Sequence, residues 1–363
     1  MERTRLLVES SMKDLICVYR MLEDEVSRDI YLNRVNYLVS GDKKYITNIV
    51  TTHVPNLPLL CGKSVEELLS QIPRDKGLVL FGAGRYAEEN LNIWAQDKRF
   101  IGFCSSTEEK QKNGFLGYPV MSPEKLLARK DLGVVISTTN ARDEIMQILR
   151  EGQYPEELIF DLAPYIVTQE QGQYFNPPFI TYSEEEVFVD AGCYDMGSAL
   201  ELKKRCGTLK KVYAFEPDPG NYKRCLTRKS RMTPVDVKLL PVGTWSERKT
   251  LHFDALSTGS SHVAEDLSGT VSVPVMPIDE AVDLKEKITF IKMDVEGAEL
   301  ESLKGARKTI QRDKPKLAVC IYHKPEDMIE IPLYIKRLVP EYKLYVRHHS
   351  NSTGETVLYA VIS

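Results

Sequence analysis

Apolar runs that end in acids and glycine turns are the main pattern of the C-terminal half of this chain. Residues 187–189 are apolar and lead into an acidic, glycine-containing turn, after which residues 198–205 follow a helical pattern. A second apolar run ends at Glu216, and this order of strand, turn, helix, strand and carboxylate is typical of a nucleoside pocket in a parallel sheet. The pattern predicts a cofactor site formed by Asp190, Gly192, Tyr194, Asp195, Glu216 and Pro217.

The residue types in this turn indicate which cofactor binds. Glu216 lies about 20 residues past the turn, where a carboxylate accepts hydrogen bonds from the hydroxyls of a ribose, as in NAD enzymes. Asp190, however, stands where the dinucleotide fingerprint has its first glycine. A carboxylate there repels a pyrophosphate but accepts hydrogen bonds from an ammonium group. S-adenosylmethionine has an ammonium group and no phosphate, so we expect it as the cofactor.

A third apolar run, residues 288–293, ends in acids and leads to a helix that opens at Glu299. With this run in place, the chain from about residue 180 to its end resembles the FkbM-type methyltransferases. The resemblance implies the class I methyltransferase fold, S-adenosylmethionine as methyl donor and usually a hydroxyl oxygen as acceptor. It rests on four ordered segments: FVDAG at 188–192, YAFEPDP at 213–219, IKMDVEGAE at 291–299 and LAVCIYHKPED at 317–327.

The rest of the C-terminal pattern agrees with an α/β fold. A further strand brings Val242 and Gly243 to the rim of the cofactor site, and Trp245 either covers the adenine or fills the core. Residues 344–348 and 357–362 predict a terminal hairpin. The resemblance implies that these elements form a class I methyltransferase sheet, which is Rossmann-like, mostly parallel and seven-stranded with a C-terminal antiparallel hairpin.

Several side chains with acid–base or metal-binding chemistry follow the predicted strands. Asp294, Glu296, His323, His348 and His349 lie at or just beyond strand ends, and we expect them to converge on the methyl acceptor. A base close to the hydroxyl removes its proton, so Asp294, Glu296 and His323 are the catalytic candidates. Asp294 is also a candidate cofactor-binding residue, because it ends the strand next to the cofactor strand. Such residues can also bind a divalent metal, although proton transfer or substrate positioning is favoured here. The alternative for each residue is a helix-capping or core role.

The N-terminal half adds two regions. Residues 1–75 show helical periodicity and predict a helical cap or an oligomerisation element. Residues 76–165 alternate strands and helices and predict a smaller Rossmann-like domain. Residues 166–183, with several glutamines and two prolines, predict a linker to the methyltransferase domain at 184–363. The apolar positions with helical spacing in the first region include Leu15, Val18, Tyr19, Leu22, Leu32, Val35, Leu38 and Val39.

The smaller domain has a glycine turn of its own. Gly82 and Gly84 follow a predicted strand and precede a helix that opens at Arg85, so backbone amides there can approach a phosphate. After the next strand an NAD enzyme has a ribose-binding acid, whereas this chain has Ser105. A second nucleotide or nucleotide-sugar site and a purely structural turn are both consistent with this pattern.

Composition limits the classes of partner and compartment. The formal net charge is -4 over 363 residues, and the basic residues are scattered, so nucleic acid is not expected as a partner. No apolar run reaches about 18 residues, so we expect no membrane span. The seven cysteines form no C-x-x-C pair, which predicts reduced thiols in a cytoplasmic protein.

These patterns predict an S-adenosylmethionine-dependent O-methyltransferase that acts on a hydroxyl of a sugar, a glycan precursor or a specialised metabolite. Its partner is then a small-molecule or saccharide acceptor, and the helical N-terminal region is the candidate for homo-oligomer formation. The alternatives are a nucleotide-sugar or NAD-linked enzyme, or a nucleotide-binding scaffold, that uses the smaller Rossmann-like domain.

Overall fold

The computed structural model describes residues 11–54, 72–89, 91–138, 141–162, 172–254 and 270–362. Contacts within the chain divide it into two compact units. The larger unit joins Met1–Val54 to Gln169–Ser363, and the smaller unit is Pro55–Thr168. In sequence, the smaller unit is therefore an insertion in the larger one.

Three helices open the described chain and belong to the larger unit: α1 (Met12–Met21), α2 (Glu25–Ser40) and α3 (Lys44–His53). Asp24 caps α2, because its side chain accepts a hydrogen bond of 2.8 Å from the Ser27 amide. Gly41 ends the same helix in the left-handed conformation, with φ of 69°. No described helix is both long and apolar enough to cross a membrane.

The smaller unit alternates short strands and helices. Its strands are β1 (Gly77–Phe81), β2 (Phe100–Cys104), β3 (Val120–Met121), β4 (Leu132–Ile136) and β5 (Ile159–Asp161). They form a parallel sheet of order β3-β2-β1-β4-β5, which is the order of one doubly wound nucleotide-binding unit, so the smaller Rossmann-like fold is confirmed. The helices are α4 (Arg85–Glu89), α5 (Leu91–Gln96), α6 (Glu108–Asn113), α7 (Pro123–Leu127) and α8 (Arg142–Glu151), with a 3-10 turn at Glu156–Leu158.

The larger unit continues with ten strands and six helices among its described residues. The strands are β6 (Glu186–Ala191), β7 (Leu209–Phe215), β8 (Asp236–Leu240), β9 (Gly243–Thr244), β10 (Lys249–Asp254), β11 (Thr270–Met276), β12 (Phe290–Met293), β13 (Lys316–Cys320), β14 (Lys343–His348) and β15 (Thr356–Val361). The helices are α9 (Gly197–Arg205), α10 (Pro219–Lys229), α11 (Ile278–Ala281), α12 (Glu299–Gly305), α13 (Arg307–Asp313) and α14 (Asp327–Leu338), with a 3-10 turn at Ser230–Met232.

Seven of these strands form the main sheet, in the order β14-β15-β13-β12-β6-β7-β8. Neighbouring strands from β13 to β8 are parallel, whereas β15 runs antiparallel to both β13 and β14. Strands β7 and β8 follow β6 on one side of the sheet, whereas β12 and β13 lie on the other side of β6. The carboxyl ends of β6 and β12 therefore flank the crevice where such sheets bind ligands. This topology confirms the predicted class I methyltransferase fold with its C-terminal antiparallel hairpin.

Three strands form a separate small sheet of order β10-β11-β9. The antiparallel register of β10 and β11 pairs Leu251 with Val273, and β9 joins β11 in parallel beside Met276. The sequence also predicts a loop at residues 257–262 that could close over the pocket, and this loop lies outside the described residues. Only two residues separate the end of β8 from the start of β9, so the small sheet begins close to the end of β8.

Helix α2 packs on the edge strand β14. The Val346 amide donates a 2.9 Å hydrogen bond to the Ser27 hydroxyl, and Arg347 forms a 2.6 Å ion pair with Asp24. Burial alone would raise the pKa of Asp24, but hydrogen bonds from Arg347 and Ser27 outweigh it and hold the pKa at about 2. The helix therefore covers an edge whose amides would otherwise be free to pair with another chain.

The buried face of α2 differs from the one that the apolar spacing predicts. Leu32 and Val39 are 48% and 39% exposed, while the buried residues are Ser27, Ile30, Tyr31 and Arg34. The helix turns this mixed face inward because its polar groups find partners there. Tyr31 donates to the Met328 carbonyl oxygen at 3.0 Å, and Arg34 donates to the Thr353 carbonyl oxygen at 2.5 Å.

The segment predicted as a linker packs into the larger unit where it is described. Phe175 is buried and its ring lies 5.4 Å from the Phe290 ring and 5.8 Å from the Phe188 ring, between centroids. Tyr174 belongs to the same core. This segment has no helical or strand periodicity, and its aromatic side chains anchor it in the core.

His348 is buried at the end of β14, where its Nδ1 lies 2.9 Å from the Thr356 hydroxyl. Burial, together with the nearby Arg34 cation, lowers the pKa of His348 to about 3. The folded protein therefore holds this ring neutral, whereas the unfolded chain protonates it below about pH 6.5. The stability that comes from the neutral ring is complete above pH 6.5 and decreases as the pH falls towards 3.

We predict that this histidine gives the wild-type protein a pH-dependent free energy of unfolding. Between pH 6.5 and 5 the contribution of this histidine should fall by about 2 kcal/mol, because each pH unit costs about 1.4 kcal/mol for one proton taken up only on unfolding. Asp327, whose pKa burial raises to about 7, acts in the opposite direction over this range, so the quantity to measure is the difference in free energy of unfolding between wild type and His348→Gln. Urea unfolding curves recorded at several pH values should show this difference changing by about 2 kcal/mol, whereas the difference between wild type and His252→Gln should not change with pH. A difference that does not depend on pH for His348→Gln would contradict the assignment.

Candidate functional site

The turn after β6 is tied to the end of β7 by one carboxylate. Glu216 is buried and accepts hydrogen bonds from the amides of Tyr194 at 2.8 Å and Asp218 at 2.9 Å. Burial raises the pKa of Glu216, while these two amides act in the opposite direction. Asp195 accepts from the Gly197 amide at 2.8 Å at the start of α9 and pairs with Arg228. These side chains thus fix the conformation of the turn through contacts within the protein.

Gly192 lets this turn approach the neighbouring strand. Its φ is 75°, and a Cβ atom placed on it would lie 1.9 Å from the Asp294 carbonyl oxygen. No side chain fits such a contact, so the glycine is required by packing as well as by backbone conformation. The turn after β6 and the end of β12 are therefore in direct contact.

Lys292 connects the same two elements from inside the sheet. Its ammonium group donates a 2.6 Å hydrogen bond to the Gly192 carbonyl oxygen and lies 3.3 Å from Asp190 Oδ1, and both side chains are almost fully buried. Ser198 donates to the other oxygen of Asp190 at 2.5 Å. Burial alone would lower the pKa of Lys292, but Asp190 and Asp294 raise it above the ordinary value. Asp190 is thus held within the sheet by Lys292 and Ser198.

Asp294 follows β12, and two tyrosines surround its carboxylate. Tyr174 donates to Oδ2 at 2.9 Å, and the Tyr322 hydroxyl lies 3.5 Å from Oδ1. The Asp294 amide donates to the Ala191 carbonyl oxygen at 3.1 Å, which continues the pairing of β12 with β6. The carboxylate therefore lies next to the turn after β6.

His323 follows β13 and faces three carboxylates. Its Nδ1 lies 2.8 Å from Glu299 Oε1, and its Nε2 lies 3.5 Å from oxygens of both Asp294 and Glu296. Burial alone would lower the pKa of His323, but the carboxylates, Glu299 foremost, outweigh it and raise the pKa to about 9. The free ring is therefore an imidazolium at neutral pH. Single ligand atoms from Asp294, Glu299 and His323 lie within 4.8 Å of one another, as in a metal site.

The rim expected near the adenine lies beside Glu216. A Cβ atom on Gly243 would contact Pro217 Cγ at 3.8 Å, so the turn after β8 and the turn after β7 are neighbours. Val242 is half-buried between β8 and β9. The Trp245 carbonyl oxygen packs against Gly305, where an added Cβ would come within 2.0 Å of it.

The comparison with protein families adds a decisive observation. Residues 190–346 match the family described as the methyltransferase FkbM domain. Over this span the chain is similar to the FkbM methyltransferases, and residues 190–346 are called the FkbM domain below. The span contains the turn after β6, Glu216, Asp294 and His323.

Individual relatives are more distant. Hexuronic acid methyltransferase AglP of Haloferax volcanii is 33% identical over 133 residues, which cover 35% of this chain and 54% of that protein. The alignment thus spans about half the length of AglP. 2-O-methyltransferase NoeI of Sinorhizobium fredii is 25% identical over 203 residues, or 48% of this chain and 79% of that protein. A crystal structure of a methyltransferase FkbM from Methylobacillus flagellatus matches with a TM-score of 0.48 and 20% identity over 87% of this chain and 97% of that chain.

Two histidines expected near the acceptor lie just beyond the FkbM domain and have other partners. His348 lies against Thr356, and His349 Nε2 lies 2.7 Å from the Tyr359 hydroxyl. Both rings are buried. Asp294, Glu296 and His323, in contrast, do come together.

Sequence reasoning missed Tyr174, Lys292 and Glu299. Glu299 closes the Asp294–Glu299 loop, since its Oε1 also accepts from the Val295 amide at 2.9 Å. A lysine inside an apolar strand was a signal for a buried ion pair at Lys292. Tyr174 had no such signal, because it lies in the segment that reads as a linker.

The smaller unit has its glycine turn after β1, as predicted. Gly82 has a φ of 129°, and its carbonyl oxygen accepts from the Ser137 hydroxyl at 2.9 Å. A Cβ on Gly84 would meet nothing within 4 Å, and α4 begins at Arg85. The second nucleotide site at Gly82, Gly84 and Arg85 stays a prediction.

We predict that Lys292→Met destabilises the FkbM domain by about 3 to 5 kcal/mol, because it leaves the Asp190 charge buried without its partner. Urea unfolding monitored by circular dichroism measures the change. Lys285→Met on the surface should change stability by less than about 0.5 kcal/mol. Lys292→Met combined with Asp190→Asn should recover part of the loss. A loss below about 1 kcal/mol in the single variant would contradict a stabilising ion pair.

Proposed function

We propose that this chain is an S-adenosylmethionine-dependent O-methyltransferase that acts on a hydroxyl of a saccharide or glycan precursor. The observation that carries the proposal is the presence of two groups of side chains at the carboxyl edge of one sheet. Glu216 lies at the end of β7, and the Asp294 and His323 cluster lies at the ends of β12 and β13. The first suits a ribose and the second suits an acceptor hydroxyl. The name of the relative AglP, hexuronic acid methyltransferase, supports a sugar as the acceptor, and the name of NoeI, 2-O-methyltransferase, supports an oxygen as the methylated atom.

We assign the cofactor to the turn after β6. Glu216 would accept hydrogen bonds from both ribose hydroxyls, which are charge-assisted and strong. Pro217, Val242 and Gly243 would border the adenine. The amides of Gly192, Tyr194 and Asp195 belong to the turn that would receive the amino-acid end. Asp190 would act through Lys292, by positioning the turn.

We assign the acceptor hydroxyl to the side of Asp294. When bound, S-adenosylmethionine would supply its methyl group to this hydroxyl oxygen and would leave as S-adenosylhomocysteine. The hydroxyl proton passes to a nearby base. The Asp294 carboxylate is our candidate for that base, because the neighbouring His323 is cationic in the free protein. Glu296 lies at the exposed side, where it would contact the acceptor.

A second candidate function rests on the smaller unit. Its strand order and the open space at Gly84 favour a nucleotide site, so a nucleotide-sugar or NAD-linked activity, or a binding scaffold, is the alternative. Titration of the full chain with UDP-sugars and NAD tests it. Saturable heat changes in these titrations, with none for S-adenosylhomocysteine, would favour the alternative.

We predict that S-adenosylhomocysteine binds the full chain and that Glu216→Ala weakens binding tenfold to a hundredfold. The loss of a charge-assisted contact to two hydroxyls costs about 1.5 to 3 kcal/mol. Glu216→Gln should lose less, since its amide oxygen can still accept from the turn. Calorimetry measures both, with the exposed Glu184→Ala as control. Equal affinity in wild type and Glu216→Ala would remove Glu216 from the cofactor site.

We predict that Asp294→Asn lowers methyl transfer by about a hundredfold to ten-thousandfold, the usual contribution of general base catalysis. Cofactor affinity should change little, because the Tyr174 hydroxyl can still donate to the new amide and keep the side chain in place. His323→Ala should show a loss of the same type. Turnover is measured on an acceptor found by screening hydroxylated sugars for methyl transfer from labelled cofactor.

The matched control for this test is Asp283→Asn, which changes an exposed carboxylate of the same domain and should leave turnover unchanged. Wild-type turnover in Asp294→Asn on a confirmed acceptor would mean that this carboxylate is structural and that the assigned mechanism is wrong.

A further inference from the structure

The His323 ring separates one buried carboxylate from two that face the open side of the site. Glu299, on the Nδ1 side, is fully buried, whereas Asp294 and Glu296, on the Nε2 side, are 24% and 70% exposed. The His323 side chain is 10% exposed, and neither ring nitrogen makes a well-aligned hydrogen bond to a described residue, although Nδ1 is in ion-pair contact with Glu299. The 3.5 Å gaps from Nε2 to the two carboxylates are too long for normal hydrogen bonds.

Negative charge exceeds positive charge around this ring. The ammonium group of Lys292 is bound to Asp190 and the Gly192 carbonyl oxygen, and that of Lys324 donates to the Gly297 carbonyl oxygen. Within the described residues, neither amine is paired with the cluster by a hydrogen bond. The carboxylates close to His323 or to its neighbour Tyr322 are Asp294, Glu296, Glu299 and Glu355.

We propose that the FkbM domain binds a divalent cation of the Mg²⁺ or Mn²⁺ type between Asp294, Glu296 and His323 Nε2. In an octahedral ion with bonds of about 2.1 Å, adjacent ligands are about 3 Å apart and opposite ligands about 4.2 Å apart. The distances from His323 Nε2 to Asp294 Oδ1 and to Glu296 Oε2, both 3.5 Å, lie between these values. Carboxylate oxygens with one neutral imidazole are a suitable ligand set for such an ion. Binding of the ion would therefore displace the Nε2 proton of the free imidazolium to water.

Glu299 has a separate part in this site, as a positioning residue. Metal-bound histidines usually direct their second ring nitrogen to a carboxylate, which fixes the ring. Nδ1 of His323 lies 2.8 Å from Glu299 Oε1, and Glu299 is itself held by the Val295 amide. Its other oxygen, Oε2, has no hydrogen-bond partner among the described residues. The ring is therefore oriented with Nε2 towards the open side.

Three protein ligands leave about half of an octahedral shell for water or for acceptor oxygens. This consequence rests on the proposed function, since an acceptor hydroxyl bound to the cation would lose its proton more readily. Acceptors with two neighbouring oxygens, as sugars have, would bind the ion through both. Binding of the ion itself does not depend on methyl transfer and can be tested alone.

The test is a titration of the full chain with Mn²⁺ alone, in which electron paramagnetic resonance measures the free ion. We expect one site in the wild type. Asp294→Asn, Glu296→Gln and His323→Phe should each weaken it at least tenfold, and Glu299→Gln by about tenfold to a hundredfold. Glu301→Gln is the matched control, because this residue lies on the same helix but bonds to Ser246 and Lys304. Its affinity should equal that of the wild type.

Parallel titrations with S-adenosylhomocysteine separate the two proposals. A protein that binds the cofactor product but not Mn²⁺ would overturn the cation site, as would equal Mn²⁺ affinity in all variants. Variant-sensitive Mn²⁺ binding without S-adenosylhomocysteine binding would support the cation site and overturn the proposed function. If a buried variant does not fold, Glu296→Gln decides the outcome, since this side chain is 70% exposed.

Discussion

The buried ammonium group of Lys292 organises the candidate site. It lies on the central strand β12, and it holds the Asp190 carboxylate and the Gly192 carbonyl oxygen of the adjoining strand and turn. A charge in a sheet interior is stable only with a close partner of opposite sign and further hydrogen bonds. This requirement fixes where the cofactor turn leaves β6, so the position of every residue in that turn depends on a side chain from a strand about 100 residues later in the chain.

The contact at Gly192 has the same effect on the backbone. Because the turn lies directly against the Asp294 carbonyl oxygen, the proposed cofactor site and the proposed acceptor site are in direct contact. Tyr174 fixes the Asp294 side chain from a third segment, which enters the core through Phe175. Displacement of any one of these three segments would therefore change the distance between the two sites. Such coupling is expected where catalysis requires reacting atoms in line and in contact.

The first helices have a structural function in the larger unit. Helix α2 covers the edge strand β14, and its polar side chains bond to the β14 backbone and to the loop that follows. The helices and the FkbM domain are thus one compact unit, although the smaller unit lies between them in sequence. Folding of the larger unit must bring together parts of the chain that are far apart, which is entropically costly and slow compared with local pairing.

The sequence by itself determined the strands, the turn motifs and the class of fold. Local signals were sufficient for these, because alternation, apolar runs and glycine turns are set by neighbouring residues. The placement of Glu216, Asp294 and His323 at strand ends followed from the same signals. Only the tertiary structure decided which face of α2 is buried, which partner neutralises Asp190, and that Tyr174 and Glu299 join the Asp294 and His323 cluster. These features depend on contacts between segments 100 or more residues apart or on the fold of one loop. No local pattern encodes them, since the partners meet only after the sheet has formed.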